Sequence, residues 1–480
     1  MRTRRSARHL RPRLILCALC AVPLSFAPPV LAAPVDELLK LARERSESLK
    51  SLELSVRAAE ETVRARELEL SPKLASELGM IRDNRESLLS SRQTSNNFID
   101  ISLSKLFASG TTFTLSAGNT AAETTTAGSQ NTAEWEARIS QSLWRNAFGR
   151  GTRLRRDSDQ SELRARKFQL EFQRQTLLVG LEDLYWDLAL ALQEEQTRLR
   201  NIERSDALER WIRDRVRRAA AERADLLQVE GLSSDRRLSL LEVRGRIARL
   251  QNSLREAIPG FDPKDFKISE KTLDSDRDAR ALMTGSSSQG DPIRLDTLAA
   301  RFTAREARAE AARAADTVSP LLDAYAAYGR NGIRPEPGEA WNRATGSDFS
   351  QTQVGLLLSL DLDRGLTSAQ RRASELEAEA AELAAQASAR GSMTLWSELN
   401  RNIAQLREQL TEARKSADIH RRNAQAEQKR YQLGRITAFQ AVTIEIAASE
   451  SELEVYRLLN ALRKAEARAR LYTRDIDGET

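Results

Sequence analysis

Leucine and isoleucine recur at alternating three- and four-residue steps in two stretches of the chain. Leu177, Leu181, Leu184 and Leu188 form one run, and Leu399, Ile403, Leu406 and Leu410 form the other. This spacing places one narrow apolar seam on a helix, the pattern of coiled-coil packing. Arg, Glu and Gln fill most other positions, so each helix is too thin to bury a core alone. Proline placement sets the lengths: none lies between Gly151 and Ile258, and none follows Pro337. Proline inside a helix costs about 3 kcal/mol, so proline-free tracts can be helical throughout. The pattern predicts a helix from Gly151 to about Arg217, a break at RAAAERAD, and a shorter helix from Asp225 to Glu256. The second tract repeats the plan: a helix from about Thr367 to Tyr431, a break at QLGRITAF, and a shorter helix to about Leu471. At 1.5 Å per residue the first long helix spans about 100 Å.

Ahead of each tract the periodicity changes. A helix is predicted from Val35 to Leu70, ending at Ser71-Pro72, and another from Ile293 to Val318, ending at Ser319-Pro320. Proline stops the helix and biases its predecessor to extended structure. Alternation with period two follows. In FIDISLSKLF, Ile99, Ile101 and Leu103 share one face, and Asp100, Ser102 and Ser104 the other. EWEARISQSL and QVGLLLSLDLD alternate in the same way. Strands of about ten residues with one apolar and one polar face suit a lipid-facing, water-lined barrel. They suit a one-sided sheet on a soluble core as well. One more alternating segment, TTFTLSAGN, lies between the first-half strands, as an additional barrel strand or as an external or extended hairpin. RDNRESLLSSRQTSN, NTAAETTTAGSQN and NGIRPEPGEAWNRATGS read as polar loop tips. Helix, proline, strand–loop–strand, long helix, break and shorter helix thus occur twice, an internal duplication. Residues 33–258 and 292–480 are the two repeats, and 259–291 connect them.

The first 32 residues change the charge picture. MRTRRSARHLRPR is arginine-rich and acid-free, an apolar run follows, and small residues surround Ala32. This is the order of a secretory signal peptide, with cleavage after Ala32. Its arginines account for the formal net charge of +6, so the basic balance is a targeting feature and not a nucleic-acid footprint. Cys17, Cys20 and His9 leave with the leader, and His420 stands alone among arginines. No transition-metal site, cofactor or catalytic constellation is expected. After the leader no apolar run reaches the ~18 residues of a membrane-spanning helix.

ELLKLARERSESLKSLELSVRAAEETVRARELELSPKL, RISQSLWRNAFGRGTRLRR and YQLGRITAFQAVTIE, the last carrying Tyr431 and Gly434, resemble segments of the TolC-like outer membrane efflux protein family. RRAAAERADLLQVE, with Asp225-Leu226-Leu227, resembles the first-half counterpart of the last segment. Asp225 and Gln440 lie at matching points of the two halves, 215 residues apart. The resemblance covers essentially the whole mature chain. It implies a mostly α fold with β: a trimeric outer-membrane β-barrel continued by a long periplasmic α-helical coiled-coil barrel. It implies a passive gated conduit and no enzyme. Its partners would be two further copies, outer-membrane lipid, a periplasmic adaptor (membrane fusion) protein, and an inner-membrane pump of RND or ABC type. At the periplasmic tip the gate candidates are Asp225, Tyr431, Gly434 and Arg435. Asp225 would pair with Arg435 or a nearby arginine, or cap its own helix, and Tyr431 would gate or pack. The chain departs from the family in the additional segment TTFTLSAGN and at three residues: Ala219 replaces a tip glycine, and Gln440 and Thr443 stand where related channels often carry cation-binding aspartates. The competing reading is a periplasmic coiled-coil scaffold, which explains the leader and heptads but not the strand pairs recurring in order.

Overall fold

The computed structural model describes residues 34–82, 93–124, 128–219, 221–262, 293–346 and 348–473. The expected leader and most of the connecting segment lie outside these ranges. The chain starts with α1 (Pro34–Arg45) and α2 (Glu47–Arg66), followed by a 3-10 turn over Glu67–Leu70. The single helix expected over Val35–Leu70 is therefore broken at Ser46, whose backbone is extended (ψ 122°). Serine is a poor interior residue but a good helix starter. The break lets α1 bury Val35, Leu38 and Ala42 in the core while α2 continues largely exposed.

Six strands form one antiparallel sheet in the order β1 (Lys73–Arg82), β2 (Gln93–Leu106), β3 (Thr111–Thr124), β4 (Gly128–Ser142), β6 (Leu321–Arg334), β7 (Ser350–Ser359). TTFTLSAGN is thus an interior strand of the sheet, with Ala117 paired to Ile101 on one side and Trp135 on the other. The expected loop NTAAETTTAGSQN is mostly ladder, continuing to the pair Thr124–Gly128. Its threonines favour strand, and Gly128 supplies a positive φ of 67° at the turn. In the expected loop NGIRPEPGEAWNRATGS lies a helix, α6 (Pro337–Thr345), with proline in its first turn. β7 stops at Ser359, short of the expected Asp363.

Register divides the sheet into two faces. Leu74, Leu78, Ile99, Ile101, Leu115, Ile139, Val354 and Leu356 fall on one side. Glu77, Asp100, Ser116, Glu136 and Gln353 fall on the other. The apolar side is uncovered over most of its area, with Leu78 74% and Val354 80% exposed. β1 and β7 are the two outer strands, and among the described residues each pairs on one side only.

From the sheet the chain runs into α3 (Arg150–Arg217), α4 (Arg223–Ala257), α5 (Leu295–Thr317), α7 (Arg364–Gln432) and α8 (Ala438–Ala469). The 68 residues of α3 and 69 of α7 give rods of about 100 Å each. The core lies where α1, α3, α4, α7 and α8 meet, around Leu38, Tyr185, Leu188, Leu254, Ile403 and Leu459. Close by, β5 (Ile293–Arg294) pairs with β8 (Tyr472–Thr473). No described helix is long and apolar enough to cross a membrane.

Candidate functional site at the helix tips

The ends of the long helices share one local design. α3 finishes through Ala219 at φ 54°, and α7 through Gly434 at φ 70°. Three residues later each has a helix N-cap, Glu222 for α4 and Thr437 for α8. Three residues further, Asp225 and Gln440 complete capping boxes. Asp225 Oδ2 accepts the Glu222 N–H at 3.4 Å, and Gln440 Oε1 accepts the Thr437 N–H at 3.2 Å. At the second tip Gly434 N–H donates to the Tyr431 carbonyl and Arg435 N–H to the Arg430 carbonyl, both at 2.9 Å. This satisfies the last free carbonyls of α7 through a left-handed residue.

The four sequence candidates therefore separate. Gly434 and Arg435 build the turn with their backbones. Asp225 is the third residue of α4, not its N-cap, and its carboxylate closes the box. Among the described residues it forms no ion pair with Arg435 or another arginine of its own chain. Tyr431 faces α3, where its ring centroid lies 4.8 Å from that of Trp211, at 58°. Arg215 covers the Trp211 ring at 4.6 Å. Among the described residues the buried Tyr431 hydroxyl has no hydrogen-bond partner. Burial pushes this phenol up to about 12; Arg215 opposes the shift and the Asp225 carboxylate adds to it. Asp225 thus acts on Tyr431 through its field, without touching it by hydrogen bond. Trp211 was not among the candidates: one tryptophan in an Arg-rich stretch carries no sequence signal for its partner 220 positions on.

Behind this aromatic contact a polar ladder ties α3 to α8. Arg198 meets Glu450 and Arg200 meets Glu452 at 3.1 Å, and Arg204 meets Glu445 at 3.3 Å. Asn201 Nδ2 donates to Ser449 Oγ at 2.5 Å, both residues being buried. Nearer the core, Lys464 pairs with Asp187 at 2.8 Å and Arg470 with Glu182 at 2.7 Å. From the ladder to the tip, α3, α7 and α8 border a groove of about 880 Å³, lined by Arg204, Trp211, Asp418, Arg421, Tyr431 and Glu445 among others. α3 and α8 are thus fastened from Glu182–Arg470 to Arg204–Glu445. At the tip, Trp211 of α3 and Tyr431 of α7 bring those two helices together.

A sheet with one bare apolar face, running into paired helical rods with matching tips, defines the fold of outer membrane channels. No family model and no curated protein matches the chain in sequence. Solved structures match it in three dimensions. CusC, studied for its folding and transmembrane channel formation, aligns with a TM-score of 0.67 over 91% of each chain, at 12% identity. The CmeC outer membrane channel of Campylobacter jejuni aligns at 0.64, covering 96% of this chain and 93% of its own, at 13% identity. The open state of the MtrE outer membrane channel of Neisseria gonorrhoeae aligns at 0.61, covering 92% and 88%, at 16% identity. The shared fold extends over nearly the full length of both partners in each comparison.

Proposed function

We propose that the protein is the outer-membrane channel of a tripartite efflux pump or type I secretion system, a passive gated conduit. The observation that carries this reading is the six-stranded sheet, apolar and bare on one face, polar on the other, and open at both edges. Unpaired strand edges are not tolerated in lipid, so one copy cannot sit in a membrane alone. β1 of one copy and β7 of the next run in opposite directions, as an antiparallel closure needs. Three copies of the sheet reach the size of ~18-stranded porins, which leave an aqueous channel. The helices of about 100 Å then form the periplasmic tube. The leader would deliver the chain to the periplasm and be cut after Ala32.

In this reading the tips are the gate. The α3–α8 ladder keeps the halves of each copy together, and the Trp211–Tyr431 contact holds α7 against α3 at the entrance. Opening separates that pair while the ladder stays closed. The exposed turns at Ala219 and Gly434 offer docking points for a periplasmic adaptor, and an inner-membrane pump of RND or ABC type supplies the energy. A periplasmic scaffold has no use for the bare band of Leu78, Val354 and Leu356, which in water would be an aggregation site. The test is planar-bilayer conductance of detergent-extracted protein with its mass measured in parallel. Trimer-associated single-channel currents support the conduit. A monodisperse protein that needs no detergent and passes no current overturns it.

A further inference from the structure

The β6–β7 connection folds back onto the sheet. α6 lies on the apolar side of β4 and β6, at the end farthest from the long helices. Ala340 and Ala344 press on Ala133, all three fully buried. Trp135 Nε1 donates to the Ala344 carbonyl at 3.1 Å, and Asn131 Nδ2 to the Pro335 carbonyl at 2.6 Å. Gly332 makes room beneath: a Cβ there would lie 2.3 Å from the Ala340 oxygen. α6 is therefore a fixed part of the outer wall.

This hairpin presents Arg330, Arg334 and Arg343 at the upper limit of the apolar band. Arg330 Nε donates to the Tyr328 hydroxyl at 2.7 Å, and its Nη1 donates to the Gly346 carbonyl at 2.6 Å. Its guanidinium lies 5.5 Å from the Tyr328 ring, and that of Arg343 lies 4.4 Å from the Phe349 ring. The Tyr328 ring meets Trp135 edge-on at 5.8 Å. Tyr328, Arg330 and Arg334 continue the same face as Val354 and Leu356. Among the described residues none of the three arginines forms an ion pair with a carboxylate. Amphipathic aromatics mark the level where lipid tails give way to headgroups. Guanidinium groups that lie over aromatic rings, as those of Arg330 and Arg343 do, keep spare N–H donors, and the planar fork suits phosphate oxygens.

We propose that this arginine–aromatic collar binds the phosphate groups of outer-leaflet lipid and pins the barrel at the membrane rim. The proposal rests on the channel reading, because it requires the apolar face to be in lipid. Lipid is the source and not free phosphate, because the apolar wall continues directly below the arginines. One molecule can then seat its phosphate and its acyl chains on the same surface. Free phosphate would gain only the charge.

The test uses the detergent-extracted full-length assembly and native mass spectrometry. Three probes are titrated: lipid A bearing both phosphates, its dephosphorylated counterpart, and inorganic phosphate. The wild type should retain the phosphorylated lipid at least about tenfold better than the dephosphorylated one, as charge-assisted pairing requires. Arg334→Gln with Arg343→Gln should erase that preference, and the two Lys substitutions should keep part of it. Millimolar inorganic phosphate should not displace the lipid. Arg330 is left intact because it holds the end of α6. Equal retention of both lipids by the wild type overturns the proposal, as does an unchanged preference in the Gln variant or displacement by inorganic phosphate. Unaltered bilayer conductance in the Gln variant separates failure of the collar from failure of the channel reading. Should that variant not assemble, the wild-type preference decides alone.

Discussion

Ala219 and Gly434 occupy the same backbone conformation 215 residues apart, φ 54° and φ 70°, each three residues before the N-cap of the next helix. Left-handed backbone costs a residue with a Cβ about 1 kcal/mol more than glycine. Ala219→Gly should therefore raise stability by about 1 kcal/mol. A Cβ at Gly434 would meet nothing within 4 Å, so Gly434→Ala should cost about the same by backbone strain alone. Opposite shifts of the thermal midpoint in the two variants check this. Shifts of the same sign would mean the turns are not equivalent.

The Trp211–Tyr431 contact gives the proposed gate its test. An aromatic pair contributes about 0.5–1.5 kcal/mol beyond its buried area. Trp211→Ala or Tyr431→Ala should raise the open fraction in bilayer recordings by about two- to tenfold. Tyr431→Phe keeps the ring and removes a hydroxyl that has no partner, so it should leave gating unchanged and stability equal or slightly higher. Unchanged currents in both alanine variants would remove this pair from the gate.

The Tyr431 phenol titrates late because burial penalises its anion. Its ordinary value is near 10, and in the folded chain it rises to about 12. The unfolded chain therefore releases this proton first. The contribution of this group to stability is intact below about pH 10 and is lost as pH rises toward 12. Ultraviolet difference titration against Tyr431→Phe should resolve one late-ionising phenol. A midpoint near 10 would mean that the tip is open to water.

In the proposed barrel the width can be changed through β2 and β3. Together they form an antiparallel hairpin within the sheet, so deleting residues 93–124 leaves β1 and β4 antiparallel and able to pair. Assembly should persist with four strands per copy, and the largest polyethylene glycol entering from the outer side should become smaller. An unchanged cut-off would place the narrowest outer passage elsewhere than the barrel wall.

The long helices were legible because proline and heptad spacing are local signals; α3 begins at Arg150 where Gly151 was expected. The strands were legible as alternation, but alternation does not say what a strand pairs with. The place of β3 between β2 and β4 had to come from the sheet itself. α6 was hidden because PEPGEAWNRATG has the composition of a loop, and it becomes a helix by packing Ala340 and Ala344 onto Ala133. The sites divided along the same line. Gly434 and the box at Asp225 are short-range and readable, although Asp225 takes the third helical position. The Trp211–Tyr431 contact joins distant segments, and no periodicity encodes it.

The four strands from the first half and two from the second also set a perimeter. At about 4.8 Å per strand and a tilt of about 40°, six strands occupy about 38 Å of circumference. Next to the sheet the four helices α2, α3, α5 and α7, at about 10 Å each, occupy about 40 Å. In the proposed assembly each copy would therefore present nearly equal girth to the membrane and to the tube, so a solute that clears the tip would meet no second constriction where helix gives way to strand.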